Sequence, residues 1–259
     1  RLPPSAPDHC NRSEIVWIGS LLKDKQVNIE DIVLQHDKRG IAEFRHFLPY
    51  NSYQIAAQNL LEKKGRVIIT TGLAVEGKPE TDGPPGAIIL GRALRRIGFE
   101  VVFLTDQLAG PLFIPDYECE FQVEVFPILE EAASRLHAQS ILDRFNPSAL
   151  ISIERCGHST DGRYLNMRGE CITANTAKID LLFDAGVFSI GIGDGGNEIG
   201  MGNLIDEITA SDLLVDQPTV SRVDHLLLAS VSNWGGYGLV TAISQEVEVN
   251  LLPDFERIT

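Results

Sequence analysis

The chain lacks any apolar run approaching the ~18 residues that a membrane helix requires, so neither a span nor a membrane partner is expected. No secretory leader pattern is expected either. Cysteine is sparse: Cys10, Cys119, Cys156 and Cys171 are scattered and form no CxxC pair. In a chain of this length they read as reduced thiols of an intracellular compartment, with a Cys156–Cys171 disulfide the minor alternative. Basic charge is short, at 22 Lys and Arg against 36 Asp and Glu, a formal net charge of −14. That balance excludes wholesale binding to nucleic acid or to an anionic membrane. An anionic ligand would therefore need local positive charge or a metal. Several catalytic templates are missing too. Gly77-Lys78-Pro79 has no Ser or Thr after the lysine and is not a Walker A loop. There is no GxSxG elbow and no HExxH helix.

At 259 residues and 44% hydrophobic composition, the chain can bury one large core. Residues 1–12, with Pro3, Pro4 and Pro7, read as a tail or linker, and 13–259 as one domain. The chain begins with Arg1 rather than Met, so it reads as a processed form or a piece of something longer. From Glu14 to Lys64 the pattern is mainly helical, with Tyr53 to Leu61 the clearest amphipathic stretch. Then strands alternate with helices. Strands are expected at Val67–Thr71, Glu100–Leu104, Phe121–Phe126, Ala149–Ile153, Phe188–Ile192 and His225–Ser230. Helices are expected at Ala87–Arg96, Glu130–Asp143, Thr173–Ala185, Met201–Ile208 and Gly238–Glu246. This alternation argues an α/β fold: a mostly parallel, Rossmann-like sheet with helices on both faces, preceded by a helical N-terminal segment.

In such sheets ligands bind beyond the carboxyl ends of the strands. The exits here are loaded with acids, amides and hydroxyls: Thr71, Glu76, Asp82, Asp106, Glu154, Asp194, Asn197, Glu198, Ser230 and Asn233. The densest segment is Gly191-Ile-Gly-Asp-Gly-Gly-Asn-Glu-Ile-Gly-Met-Gly-Asn203, whose six glycines bring backbone N–H groups close to a ligand. Carboxylates converging on one edge repel each other unless a cation neutralises them. Glu154, Asp194, Glu198 and Asp82 are therefore the candidate ligands of Mg²⁺ or Mn²⁺, with Glu76, Asp106 and Asn197 alongside. The plainer alternative for Asp82, Asp106 and Asn197 is helix capping. Arg155, Arg163 and Arg168 share a polar loop with His158 and can hold a substrate carboxylate, or can equally form surface pairs. Lys178 follows in the next helix. Gly193-Asp-Gly-Gly-Asn-Glu198 resembles the GDGxND segment of haloacid-dehalogenase-like phosphatases. The early Asp-x-Asp nucleophile pair is missing, since the corresponding positions read Thr70-Thr71-Gly72 and Thr105-Asp106-Gln107.

Three long motifs occur together: Gly72 to Gly86, Ile153 to Gly169 and Gly191 to Asn203. Jointly they resemble the C-terminal domain of the D-glutamate cyclase family, from about residue 14 to 250. The resemblance implies conversion of D-glutamate to 5-oxo-D-proline with loss of water, and a bound divalent metal. It also implies a mitochondrial matrix location and an upstream domain in a eukaryotic parent chain, or a cytoplasmic protein in a prokaryote. A homo-oligomer is compatible with it. The residues accommodate that chemistry: Glu76 or Glu198 as base, Gly195 and Gly196 N–H groups as oxyanion donors, and Arg155 or Arg168 on the α-carboxylate. Thr71 and Asn197 complete the expected substrate contacts. Two other readings stay open, a non-catalytic domain sensing glutamate or 5-oxoproline, and a metal-dependent phosphatase-like hydrolase.

Overall fold

Val67 to Thr71 is apolar or β-branched without interruption, and all five positions are buried in strand β1 (Arg66–Thr71). Burial of both faces is what a central parallel strand requires. The protein is described from a computed structural model covering residues 28–72, 74–75, 78–112 and 120–253. A short antiparallel hairpin, β2 (Ala74–Val75) with β3 (Lys78–Pro79), follows β1. The remaining strands are β4 (Glu100–Asp106), β5 (Gln122–Phe126), β6 (Ala149–Ile153), β7 (Ser189–Gly193) and β8 (His225–Leu228). Six of these strands form one sheet in the order β5-β4-β1-β6-β7-β8, with every neighbouring pair parallel. Chain order reverses direction at β1 and β6, the topological switch point of a doubly wound sheet. The expected α/β architecture is the one observed.

Helices cover both faces. On one side lie α1 (Ile29–Val33), α2 (Ser52–Glu62), α3 (Pro84–Arg96) and α6 (Ser232–Val247). Their Tyr53, Leu60, Leu90, Leu94 and Leu239 pack with Val67, Ile69, Ile151 and Ile192 of the sheet. On the other side α4 (Glu131–Phe145) and a 3-10 turn at Ile179–Ala185 pack with Ile68, Val102, Leu104 and Leu150. The period-2 alternation of Val67, Ile68 and Ile69 between these two cores is the direct signature of a strand buried on both sides. The helical N-terminal segment is seen from residue 28. The tail at 1–12 and residues 13–27 lie outside the described residues.

Three helix expectations need correction. Thr173–Ala185 is two 3-10 turns, Thr173–Asn175 and Ile179–Ala185, rather than one helix. Tertiary bonds break the ladder between them: the Ala177 carbonyl accepts from Arg155, and Asp180 accepts from His158, Tyr164 and Ser221. Met201–Ile208 likewise starts as a 3-10 turn, Met201–Leu204, before α5 (Ile205–Thr209). The last helix begins at Ser232 rather than Gly238, so Gly235, Gly236 and Gly238 lie inside it. All three are packing residues, Gly235 and Gly236 lying ahead of the expected start at Gly238. A Cβ on Gly236 would stand 3.0 Å from the Gly86 backbone of α3, and one on Gly238 would stand 2.8 Å from the Tyr53 ring. Among the described residues, no helix is long and apolar enough to cross a membrane.

The α3–α6 crossing yields a stability prediction. Alanine at Gly236 gains helix propensity of about 1 kcal/mol but forces two backbones apart. Overpacking of this kind costs typically about 1–3 kcal/mol. Gly236→Ala should therefore unfold at lower urea concentration than the parent; an unchanged or raised midpoint would show that the crossing yields freely.

Candidate active site

The exits of β1, β6 and β7 converge because parallel strands end on one edge. Glu154, the first residue after β6, has φ of 50°, in the left-handed region that a non-glycine residue occupies at a cost of about 1–3 kcal/mol. The turn bends its carboxylate back under α6, where Oε2 accepts from the Ser232 hydroxyl. Gly83 makes this approach possible: its φ is 95°, and a Cβ there would stand 2.5 Å from Thr71 Oγ1 and 2.8 Å from Glu154 Cβ. The N-termini of α3 and α6 are tied together just above. Asp82 accepts from the N–H groups of Ser232 (3.3 Å) and Asn233 (3.0 Å), while Asn233 Oδ1 accepts from those of Gly83 (3.1 Å) and Gly86 (2.9 Å). Asp82 thus caps a helix, though the distant α6 rather than the helix that follows it.

Asp82, Glu154 and Asp194 each offer a carboxylate oxygen, and these oxygens lie within 4.8 Å of one another. Glu198, buried like Glu154 and Asp194, closes the group from the β7 exit. Its Oε2 accepts from Gly196 N (2.8 Å) and Gly195 N (3.3 Å), and its Oε1 has no hydrogen-bond partner among the described residues. Asp194 is 1% exposed, and Arg39 forms an ion pair with its Oδ1. Burial, then the charges of Asp194, Glu198 and Asp82, push the Glu154 carboxyl well above its ordinary range. Burial and the neighbouring Glu198 push Asp194 up to about 8, against the pull of Arg39. Burial raises Glu198 as well, although three backbone amides oppose it. Glu80, at the rim, is raised by burial and by Asp82. Clustered, desolvated acids with buried oxygens that lack partners fit a divalent cation.

Other expected residues have other work. Arg155 is fully buried. Its Nη1 pairs with Asp106 Oδ2 at 2.7 Å and donates to the Gly72 carbonyl, while Nη2 donates to Ala177 O at 2.8 Å. It braces the β1, β4 and β6 exits and is not placed to clamp a ligand. Burial works against the Asp106 charge, but Arg155 and two amides hold its carboxyl below the ordinary range. The Gly195 and Gly196 N–H groups, expected as oxyanion donors, are taken by Glu198. A Cβ on Gly195 would overlap Met167 Sδ at 1.8 Å, so the 159–172 loop closes over it. Asn197 turns away from the acids, its Nδ2 donating to Leu165 O at 3.0 Å. Thr71 Oγ1 is buried beside Glu154 with no hydrogen-bond partner among the described residues. Arg168 is exposed on the covering loop. Arg163 pairs with Asp161, and Lys178 donates to Leu129 O, both away from the acids. Glu76 lies outside the described residues, as do Cys10 and Cys119. Cys156 and Cys171 are free thiols.

Sequence reading missed Arg39, Ser232 and Asn233. Arg39 sits in an unremarkable Asp-Lys-Arg-Gly turn, and nothing in that turn announces a partner across the sheet. Ser232 and Asn233 were visible at a strand exit but carried no assigned role. His158 is also better placed than a lone loop histidine. Its Nδ1 meets the buried Asp180 Oδ2 at 2.6 Å, and Asp180 also accepts from Tyr164 and Ser221.

The topology and the acidic cluster at its switch point define a doubly wound α/β protein with a group of close carboxylates at its strand exits. The family model described as D-glutamate cyclase-like, C-terminal, matches residues 29–257. The chain is 37% identical over 201 residues to human D-glutamate cyclase, mitochondrial, an alignment covering 68% of this chain and 32% of that protein. The chain belongs to the D-glutamate cyclase-like C-terminal family, and it spans about a third of the length of its human relative. Solved structures resemble it weakly. MT0777 matches at 13% identity and TM-score 0.34, over 71% of this chain and 98% of its own; gox2181 matches at 14% and 0.28, over 56% and 58%.

Two predictions follow from the braces. Arg155→Met leaves Asp106 buried without its cation and should cost about 3–5 kcal/mol in chemical denaturation. Adding Asp106→Asn should recover part of the loss; full additivity would show that the pair is not coupled. For His158, the bond to Asp180 raises the folded pKa above the ordinary value, against partial burial. Its contribution to stability is then fully present below the unfolded pKa of about 6.5 and fades as pH rises through the folded value. Asp180 is held low, its partners outweighing burial, so its share is lost only as pH falls through that depressed value. An NMR titration should place His158 above its free-peptide pKa, and Asp180→Asn should bring it down. A His158 pKa that ignores the substitution would refute the assignment.

Proposed function

We propose that this chain cyclises D-glutamate to 5-oxo-D-proline with loss of water. The observation that carries this reading is the group of carboxylates from three separate loops, within 4.8 Å of one another at the switch point of a family member's sheet. In the reaction the substrate nitrogen forms a bond to the γ-carboxyl carbon, one C–O bond breaks, and two ammonium protons leave with that oxygen as water. Asp82, Glu154 and Asp194 are the residues that would hold Mg²⁺ or Mn²⁺, leaving Glu198 beside them free of the metal. A bound divalent cation would neutralise the γ-carboxylate and the charge that develops on it.

The chain's own groups supply the rest. Glu198 Oε1 is buried and without a partner, and its raised affinity for protons suits it to take one from the substrate ammonium. Thr71 Oγ1, lying against Glu154, supplies a hydroxyl at the same wall. Arg168, on the loop that covers Gly195, is the candidate for the α-carboxylate now that Arg155 is seen to be buried. Met167 and the rest of that loop exclude water above the glycines. The human relative is named mitochondrial; by the same extension we place this chain in a mitochondrial matrix if its source is eukaryotic, and in cytoplasm otherwise.

Purified protein incubated with D-glutamate and Mn²⁺, followed by chiral chromatography, should accumulate 5-oxo-D-proline, and excess chelator should stop it. Asp194→Asn should lower kcat/KM by about a hundredfold or more while the fold is retained. Undiminished turnover in chelator, or in Asp194→Asn, would overturn the proposed chemistry.

A further inference from the structure

Three of the four clustered acids are buried at the sheet edge, yet the cation that meets them comes from outside the sheet. Arg39 belongs to the N-terminal segment, between α1 and the 3-10 turn Ile41–Phe47. Its backbone is fixed. Asp37 Oδ1 accepts from the N–H groups of Arg39 (2.8 Å) and Gly40 (3.0 Å), and Oδ2 accepts from Ala42 N (2.9 Å). Gly40 has φ of 90° and packs on Leu213, whose Cβ would stand 3.0 Å from a Cβ on the glycine. The side chain is freer: it is 44% exposed, whereas the Asp194 carboxylate it meets is 1% exposed.

This asymmetry decides which partner can move. Asp194 is locked at the β7 exit, while the Arg39 tip has solvent beside it and a flexible stem behind. Charge balance adds a reason for exchange. Asp194, Glu154 and Glu198 face Arg39, with Asp82 beside Glu154 and Asp194, and among the described residues no other cation forms an ion pair with any of the four. One guanidinium cannot neutralise four carboxylates. Independent of those pairs, Asp194 Oδ2 and Glu198 Oε1 are buried without hydrogen-bond partners among the described residues, leaving acceptor capacity that Arg39, paired with Asp194 Oδ1, does not use.

We infer that Arg39 is an exchangeable counter-cation, which holds Asp194 and competes with a divalent cation for it. The inference rests on the metal reading given above. It follows that a divalent cation enters only by displacing the guanidinium, and that Arg39 weakens metal binding rather than supporting it. Lys38, the exposed neighbour in the same turn, carries the same charge but among the described residues forms no ion pair with the cluster.

The test is a calorimetric titration of the intact chain with Mn²⁺ alone, without substrate. Arg39→Gln should bind Mn²⁺ about tenfold more tightly than the parent, the effect expected when one charge-assisted contact no longer competes. Lys38→Gln should bind as the parent does. Arg39→Lys keeps the charge but loses the planar fork and should fall between; it decides the matter if Arg39→Gln does not fold. Equal or weaker binding by Arg39→Gln would overturn the inference while leaving the metal site standing. Equal tightening in Lys38→Gln would also overturn it, by showing a general charge effect. No Mn²⁺ binding in any of the proteins would remove both the inference and the metal reading beneath it.

Discussion

The edge of this sheet is organised around mutual repulsion. At 4.8 Å or less, two carboxylate charges oppose each other by about 3.5 kcal/mol or more at an effective dielectric of about 20. Several such pairs together rival the whole stability of an ordinary domain, about 5–15 kcal/mol. A chain cannot hold Asp82, Glu154, Asp194 and Glu198 in one place as bare charges. Protons and Arg39 are two means of relief: burial and like charge raise the proton affinity of Glu154 and Asp194, and Arg39 pairs with Asp194. The left-handed turn at Glu154 adds a local strain to the same spot. Cost concentrated in this way marks a site kept for its chemistry.

Holding such a group requires a frame that does not relax outward. Two devices provide it. The first is the reciprocal capping of α3 and α6 through Asp82 and Asn233, which fixes both helix N-termini over the cluster. Their positive ends point toward the acids and offset part of the repulsion. The second is Arg155, which sits beneath the exits of β1, β4 and β6 and ties Asp106, Gly72 and Ala177 together. A buried ion pair of this kind contributes geometry more than stability. The same loop sequence, Glu154-Arg155, therefore turns one charge toward the ligand side and the next into the frame.

Much of the fold was legible because strand and helix periods differ. Val67 to Thr71 and Ala149 to Ile153 read as strands buried on both faces, and the structure buries them in just that way. The acids at the exits were legible for a related reason: a parallel sheet gathers its loops on one edge, so a list of exits is already a list of neighbours. What sequence could not supply was direction. Asp194 and Asn197 stand three residues apart in one glycine-rich loop, yet one faces the acids and the other the 165 carbonyl. Arg155 had the right identity for a clamp and the wrong side of the backbone. Gly235 and Gly236 hid the start of α6, since a residue that breaks isolated helices also permits the closest helix crossings, and only the partner helix distinguishes the two uses.

Arg39 shows why the N-terminal segment belongs to the site although it lies outside the sheet. The segment's own core, Ile29, Val33 and Tyr53, packs under α6, and the Tyr53 hydroxyl donates to Leu228 O at the end of β8. That anchorage sets the height of the 37–42 turn above the β7 exit, and Asp37 then sets the direction of Arg39. The α/β sheet supplies the negative charge, and the preceding helices supply the cation that meets it. Removing the segment would therefore do more than expose α6: it would leave Asp194 without its ion pair and shift the whole cluster toward proton uptake. The helical appendage is in this sense part of the electrostatics of the sheet, and its position is as much determined by the acids as theirs is by the strands.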